Sequence, residues 1–504
     1  MNETVIHFAK SIESKKPINE EVKVGKDILD LITTSMYVDP LNVYREYIQN
    51  AVDSIEVALE QSLSFEDEPK VNISFDLPTR SVKIMDNGVS LSNNDFLTRI
   101  ISIGGSQKRG TKLRGFRGIG RLSGLGYCQE LIFRGRTSKD EDIVEVTWDG
   151  RKLKERYRDP NYSETLGHLV KDVTSQRTFQ DDSYPGRFFE VEMKKIARLR
   201  NDVLLNEKLI ADYLGQTGPV DFHDDFKFKT EINDFLAKHN CKKIINIFIN
   251  ESEQVFKPHR NEIVFTNFVQ DQIKKPLFKE FTNTDGDLLA IGWFLDHNYF
   301  GSIPKNLGIS GIRLRTGNIQ VGDDATSSHL FQESRFSGWV IGEIHILSPK
   351  IIPNGRRDEF EVGAKYQDLQ NLITIHTKDF AKIIREKSSI RNQKKFYGIK
   401  FNLLSDLLDH LDNDLDPIIA NGLYELIQES INETNHMIDK SMNGEELKLS
   451  LMESNKKIEA RLKAESKGKI RNTKQSALIK RVLKNCKDFK EGIQLSNDLI
   501  KLLK

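Results

Sequence analysis

Cysteine is scarce: Cys128, Cys241 and Cys486 are the only three in 504 residues, and they stand far apart. With no CxxC pair and no Cys/His cluster, neither a disulfide framework nor a structural zinc site is expected, and a reducing compartment suits the chain. Long apolar runs are missing as well. No stretch approaches the roughly 18–20 apolar residues of a membrane helix. The N-terminus shows no cationic-then-apolar leader pattern, so no membrane association and a cytoplasmic location are expected. Excess charge of one sign is also lacking, since 75 Lys+Arg against 74 Asp+Glu leave a formal net charge of +1. That balance excludes a uniformly basic nucleic-acid binder while leaving room for a local patch. What remains is an ordinary soluble composition, 38% hydrophobic and 30% charged. The chain is too long for one core, and roughly two to four domains are expected.

The stretch that organises the chain is Tyr44–Glu56, Y-R-E-Y-I-Q-N-A-V-D-S-I-E. As a helix it places Glu46, Asn50 and Asp53 on one face, because they are separated by four and then three positions. Tyr47, Ile48, Ala51, Val52 and Ile55 supply an apolar remainder fit to pack on a sheet. On such a rigid face Glu46 can take a proton from water, and Asn50 can give a hard oxygen ligand to Mg²⁺. An ordinary amphipathic helix with a polar outer face has the same pattern. Downstream, Val71–Leu77 and Ser81–Met85 read as strands joined by a turn at Pro78-Thr79-Arg80, and the second ends at Asp86-Asn87-Gly88. A buried carboxylate at Asp86 suits the exocyclic amine of adenine, and Gly88 would let a ligand approach the backbone. A plain hairpin turn has that signature too.

Asn94–Ser102 reads as a helix. A glycine-rich loop follows, and Gly115-Phe116-Arg117-Gly118-Ile119-Gly120 opens a further apolar helix through Leu122 and Leu125. Glycines at a helix start let backbone N–H groups face phosphate oxygens, and Lys108 can add a point charge. Gly105 to Gly110 has the spacing of a P-loop. Thr111-Lys112 stands where that motif needs Lys then Ser/Thr, so it is rejected.

An acid–amide helix, then D-x-G, then a glycine-rich helix start: in this order the sequence resembles the GHKL ATPases, which include gyrase, the ninety-kilodalton heat-shock chaperones, histidine kinases, MutL and the MORC proteins. It looks most like the heat-shock chaperone and MORC branches, over about residues 20–385. The resemblance implies a Bergerat-type ATP-binding α/β sandwich, with a mixed sheet carrying helices on one face, and ATP and Mg²⁺ as cofactors. It makes Glu46 the general base, Asn50 the Mg²⁺ ligand and Asp53 a neighbouring polar contact. Asp86 reads adenine beside Gly88. Residues 104–114 form a lid whose Ser106 and Lys108 match an S-x-K element, and Gly115, Gly118 and Gly120 form the phosphate loop. Two departures stand out. Ser90 replaces the second glycine of D-x-G-x-G, and the strand Gly186–Val191 has Arg187 where the family usually has Thr. A histidine kinase would need a phospho-accepting His before the ATP site, and only His7 precedes Asn50.

Leu131–Arg134, Ile143–Trp148 and Arg187–Met193 supply more strands, Leu204–Leu214 a helix, and Gly215–Pro219 a hinge. An ATP-binding domain is therefore expected over 1–216, an α/β transducer domain over 217–386 and a helical region over 387–504. The whole is of the α+β class. The middle segment holds I-P-N-G-R-R-D-E-F at 352–360. Its resemblance to the chaperone middle-domain loop places Arg357 on the catalytic arginine, with Arg356 as understudy; a surface turn with an Arg–Asp pair fits the same residues. Beyond 387, Leu404, Leu407, Leu408, Ile419, Leu423, Ile427 and Ile431 recur at helical spacing, as in a bundle or dimerisation surface. Residues 461–490 are basic, suited to an acidic partner or simply to a solvated helix face.

The resemblance implies a homodimer whose ATP-driven closure acts on a macromolecular partner, either a client protein or nucleic acid. The alternative is a nucleotide-binding scaffold with little turnover. A role in bacterial antiviral defence is an expectation from the company such stand-alone ATPases keep.

Overall fold

At Asp39-Pro40 the Asp39 carboxylate accepts from the Leu41 amide at 3.0 Å, the local bond that lets short polar residues nucleate a turn. Helix α1 (Asn42–Glu60) follows, and Ser62 at φ +54° turns the chain away after it. Its inner face buries Val43, Tyr44, Tyr47, Ile48, Ala51, Val52 and Ile55. Each Val or Ile among them taken from water contributes roughly 1.5–3 kcal/mol. The protein is described here from a computed structural model, which describes residues 25, 29, 39–104, 119–266, 268–411, 415–440, 445–465, 474–486 and 488–503.

α1 packs on a sheet formed by β1 (Lys70–Asp76), β2 (Ser81–Asp86), β3 (Glu130–Arg136), β4 (Ile143–Asp149), β5 (Thr174–Phe179), β6 (Phe188–Lys194), β7 (Asn246–Ile249) and β8 (Glu253–Gln254). The strand order is β5-β4-β3-β6-β2-β1-β7-β8. Only the β1–β7 pair is parallel, so the sheet is mixed. Helix α2 (Asn93–Ile101), capped by the Ser92 side chain, follows β2. Helices α3 (Gly150–Arg158) and α4 (Leu166–Val173) lie between β4 and β5. The expected α-helix through Leu122 and Leu125 is instead a 3-10 helix, Gly120–Gly126. Glycine forfeits backbone entropy in an α-helix, and a sequence with Gly120, Gly124 and Gly126 settles into the tighter turn.

Helix α5 (Glu207–Thr217) leads into α6 (Lys229–Lys238) and a hairpin of β9 (Glu262–Thr266) with β10 (Val269–Gln272). A second sheet has the order β11-β12-β15-β13-β14. Its strands are β11 (Lys275–Thr282), β12 (Leu288–Asp296), β13 (Gly311–Thr316), β14 (Ile319–Val321) and β15 (Ile341–Ile346). The expected hinge at Gly215–Pro219 is clamped to this sheet. Arg315 donates to the carbonyls of Gln216 at 2.6 Å and Gly218 at 3.1 Å, and Arg313 reaches Gln216 Oε1 at 3.2 Å. Gly215 answers to packing, since a Cβ there would lie 2.6 Å from the Phe256 carbonyl oxygen. Arg315 also pairs at 2.7 Å with Glu343, fully buried beside Lys257. Burial alone would push the Glu343 carboxyl up; Arg315 and Lys257 hold it well below its ordinary range.

Two compact units are distinguished: 1–297 with 301–375, and 298–300 with 376–504. The helices of the second are the C-terminal part of α7 (Ala364–Asp409), α8 (Pro417–Lys440), α9 (Glu445–Glu465), α10 (Lys474–Asn485) and α11 (Phe489–Leu503). The stripe read as a bundle or dimerisation surface is consumed within the chain. Leu404, Leu408, Ile419, Leu423, Ile427 and Ile431 share a core with Leu462, Ile479 and Ile500. Part of the basic segment is likewise answered internally, with Lys480 and Lys484 pairing with Glu429 at 2.8 and 2.9 Å. Among the described residues no helix is long and apolar enough to cross a membrane. The protein is of mixed α+β class, with an N-terminal mixed sheet, a strand-rich middle and a helical C-terminal region.

Candidate active site

The pleat of β2 alternates its side chains, so Val82, Ile84 and Asp86 turn toward α1 while Lys83 and Met85 turn away. Asp86 ends the strand and is buried; its Oδ1 accepts from the Gly88 amide at 2.9 Å. Gly88 is pressed on α1, where a Cβ would stand 2.5 Å from the Ser54 carbonyl carbon and 2.6 Å from the Ile55 nitrogen. Backbone atoms of a packed helix have nowhere to go. Gly88→Ala should therefore lower stability by roughly 1–3 kcal/mol, read as a lower denaturation midpoint with unchanged slope. An unchanged midpoint would show that this approach is not needed.

A pocket of about 490 Å³ opens between α1, β2, α2 and β6. Asn50, Asp53, Ser54 and Asp86 give it polar groups, and Ile84, Ile100, Phe133, Phe189 and Val191 give it apolar walls. That volume lies within the range of small-molecule sites, and a mostly apolar lining with a few convergent polar groups is their usual make-up. Asp53 is buried and Asn50 half-buried. Arg99 and Arg121 stand at the same pocket. The Arg121 guanidinium donates to the Ser102 carbonyl; burial first, and then the charge of Arg99, pushes its pKa down to about 10. Ser90 lines the wall at φ +59°, so a serine here takes the left-handed conformation that a glycine adopts freely.

Glu46 lies one helical turn before Asn50, buried, and outside the pocket lining. Gly120 abuts it so closely that a Cβ would fall 2.1 Å from Oε2. Its Oε1 stands 3.6 Å from the Nε of Arg357. Tyr47, on the same helix, accepts the Gly124 amide on its hydroxyl at 3.0 Å and so fixes the 3-10 turn to α1. Sequence reasoning counted Tyr47 only as apolar bulk, and an isolated Tyr in an apolar stripe carries no signal of its hydroxyl's partner.

The segment 352–360 forms a turn closed by an isolated bridge between Pro353 and Phe360. Asn354 donates to Asp358 Oδ1 at 2.6 Å, and Arg357 sits at φ +57° with its carbonyl accepting from Gly322 at 2.8 Å. Arg357 is buried toward Glu46, whereas the Arg356 side chain is exposed. The Arg356 carbonyl accepts from Arg45 Nη2 at 3.1 Å, so two consecutive residues of α1 meet two consecutive residues of this turn. Of the sequence-derived site residues, Asn50, Asp53 and Asp86 share the pocket, Gly88 braces its floor, and Glu46, Gly120 and Arg357 form an adjoining cluster. Ser106, Lys108, Gly115 and Gly118 lie outside the described residues, as does the lid beyond Gly104.

No family model matches the chain. It is 29% identical over 153 residues to the chaperone protein HtpG of Verminephrobacter eiseniae, which covers 27% of this chain and 23% of that protein. The HtpG of Idiomarina loihiensis is 27% identical over 141 residues, 24% of this chain and 22% of that protein. With the HtpG of Helicobacter acinonychis the likeness is 20% over a gapped alignment 566 positions long, which takes in 94% of this chain and 83% of that protein. The first two matches thus span less than a quarter of those relatives. The chain is distantly similar, most clearly over a limited stretch, to the chaperone proteins called HtpG.

Proposed function

We propose that the chain is a magnesium-dependent ATP hydrolase of the GHKL kind, whose turnover drives closure of a lid and of a homodimer around a macromolecular partner. The observation that carries this is the pocket itself. Asp86, a carboxylate at its floor, and Asn50 and Asp53, oxygen-bearing groups on α1, converge on one cavity of about 490 Å³. An acceptor-only carboxylate suits the exocyclic amine of adenine. A carboxamide oxygen suits a hard cation. The distant likeness to HtpG, and the resemblance to GHKL ATPases carried by the motifs, support the same reading.

In this reading Asp86 orients the base, held by Gly88. Asn50 ligates Mg²⁺, and Asp53 supports it from the next turn. Ser106, Lys108, Gly115, Gly118 and Gly120 are assigned to the lid and phosphate loop by resemblance. Mg²⁺ when bound supplies neutralisation of charge across the phosphates. Glu46 takes the proton of the attacking water, and Arg357 offers a guanidinium where negative charge develops. Because lid and domain motions gate such chemistry, turnover is slow. We assign domains at 1–216, 217–386 and 387–504, with β7 and β8 of the second adding to the sheet of the first, and a cytoplasmic setting. Between a client protein and nucleic acid as partner, the HtpG likeness favours the client.

Calorimetry on the full chain with Mg²⁺ and a non-hydrolysable ATP analogue tests the reading directly: uptake at one site is expected, and none would overturn it. Asp86→Asn should weaken that uptake by about tenfold or more, because the carboxamide can turn a donor toward the amine and gives up a charge-assisted bond of about 1.5–3 kcal/mol. Tight binding by that variant would remove Asp86 from base recognition. ATPase rates of the protein alone, with an unfolded client and with duplex DNA choose the partner class by which addition stimulates.

A further inference from the structure

Arg187 stands just before β6 and has no part in the chemistry above. β6 runs antiparallel beside β2, with Phe189 opposite Asp86. That register brings the residue two places earlier alongside the turn after Asp86. The Arg187 Nε donates to the Gly88 carbonyl at 2.8 Å. Its Nη2 donates to the Ser64 carbonyl at 2.8 Å and, more weakly, to the Asn87 carbonyl at 3.4 Å. The guanidinium carbon lies 5.0 Å from the centroid of the Phe65 ring. One planar cation therefore ties two carbonyls of the Asp86–Gly88 turn to the segment that leaves α1, and an aromatic face sets its plane.

The other restraints on the turn act on different atoms. The Asn87 side chain accepts from the Lys70 amide at 3.0 Å and donates to the Glu68 carbonyl at 2.9 Å. The Val89 amide donates to the Ser54 carbonyl at 3.3 Å. The carbonyl between those two anchored residues, that of Gly88, is the one Arg187 takes. Its peptide joins the turn holding Asp86 to the irregular segment that walls the pocket, Val89, Ser90 and Leu91.

We infer that Arg187 is a positioning residue for base recognition: it locks the Asp86–Gly88 turn so that the carboxylate keeps a single aim, and thereby sets the preference for a purine with an exocyclic amine over one with a carbonyl at that edge. The inference rests on the ATP-site reading. A carboxylate accepts from an amine and repels a carbonyl oxygen, so the discrimination holds only while the acceptor stays where the base edge lies. A placement error near 1 Å is enough to spoil such an arrangement. Lysine can reproduce the charge and one bond but not the fork.

The test titrates the full-length protein, Arg187→Met and Arg187→Lys with non-hydrolysable ATP and GTP analogues in Mg²⁺, and measures kcat at saturating ATP. Methionine keeps apolar length over Phe65. The expected result is about a tenfold loss of ATP-analogue affinity in Arg187→Met, the size of one lost charge-assisted bond. The ATP-over-GTP preference should shrink by a similar factor, kcat at saturation should stay within about twofold, and Arg187→Lys should fall between. Should Arg187→Met fail to fold, Arg187→Lys carries the measurement. Equal losses for both analogues, or a lower denaturation midpoint with preference intact, would make Arg187 merely structural and overturn the inference. Unchanged affinity would overturn it too. Wild-type protein that binds neither analogue removes the ATP-site reading and this inference with it, whereas a binding wild type with an unaltered Arg187→Met removes this inference alone.

Discussion

Glu46→Ala should bind ATP with Mg²⁺ about as tightly as the wild type and hydrolyse it about 10²–10⁴-fold more slowly, the usual contribution of a positioned general base. Binding survives because Glu46 is not among the residues that line the 490 Å³ pocket; it sits one turn away, against Gly120 and Arg357. Chemistry suffers because Glu46 is the carboxylate set against Gly120 and Arg357, whereas Asp53, Asp86 and Asp95 line the pocket itself. Truncation also leaves the buried Arg357 without this carboxylate neighbour. Glu46→Gln separates the effects, since it keeps volume and a polar oxygen but cannot accept the proton as a base. Analogue calorimetry and single-turnover hydrolysis on both variants check the claim. Turnover within about tenfold of wild type in Glu46→Gln would move the base elsewhere, since the expected loss is at least 10².

How much of this could be read from the residues alone follows from the distance over which each feature is determined. α1 was legible because its apolar positions repeat with the helical period and Asp39-Pro40 marks its start; the stretch read as Tyr44–Glu56 lies within the helix Asn42–Glu60. β1 and β2 were legible because alternation and a turn signal are local. The pairing of β7 with β1 was not, because a parallel partner arrives from 176 residues downstream, and no short-range pattern announces it. Between Gly118 and Gly126 the apolar spacing suggested an α-helix, but spacing says nothing about the tighter turn that the glycines prefer. α7 runs unbroken across the expected domain boundary at 386 to Asp409, since no proline stands between Glu386 and Asp409 to end it. Arg187 was noticed only as a missing threonine. Its three carbonyl partners lie about 100 residues or more away, and they exist only once β6 is seated beside β2.

Arg357→Ala should slow hydrolysis at saturating ATP by about 10³-fold or more, the scale on which an arginine delivered to a developing phosphate charge acts, with KM changed far less. The side chain is buried, 3.6 Å from Glu46, on a turn cross-braced by Asn354–Asp358 and by Gly322. Its φ of +57° is held by that bracing, and alanine has the same Cβ, so the substitution deletes the guanidinium without adding backbone strain. Arg356 is the internal control. Its side chain is exposed, and the bond it makes to Arg45 runs through its carbonyl, which Arg356→Ala retains. That variant should stay within about fivefold of wild type, as an exposed charge worth at most ~1 kcal/mol would. Arg357→Lys should recover part of the rate, because it restores charge but not the planar fork. If Glu46 and Arg357 serve one chemical step, Arg357→Ala in a Glu46→Gln background should cost little more, as residues acting as a unit do not add. Equal rates for Arg357→Ala and wild type, or a larger loss in Arg356→Ala, would transfer the role. Fully additive losses in the double variant would separate the two residues into independent steps.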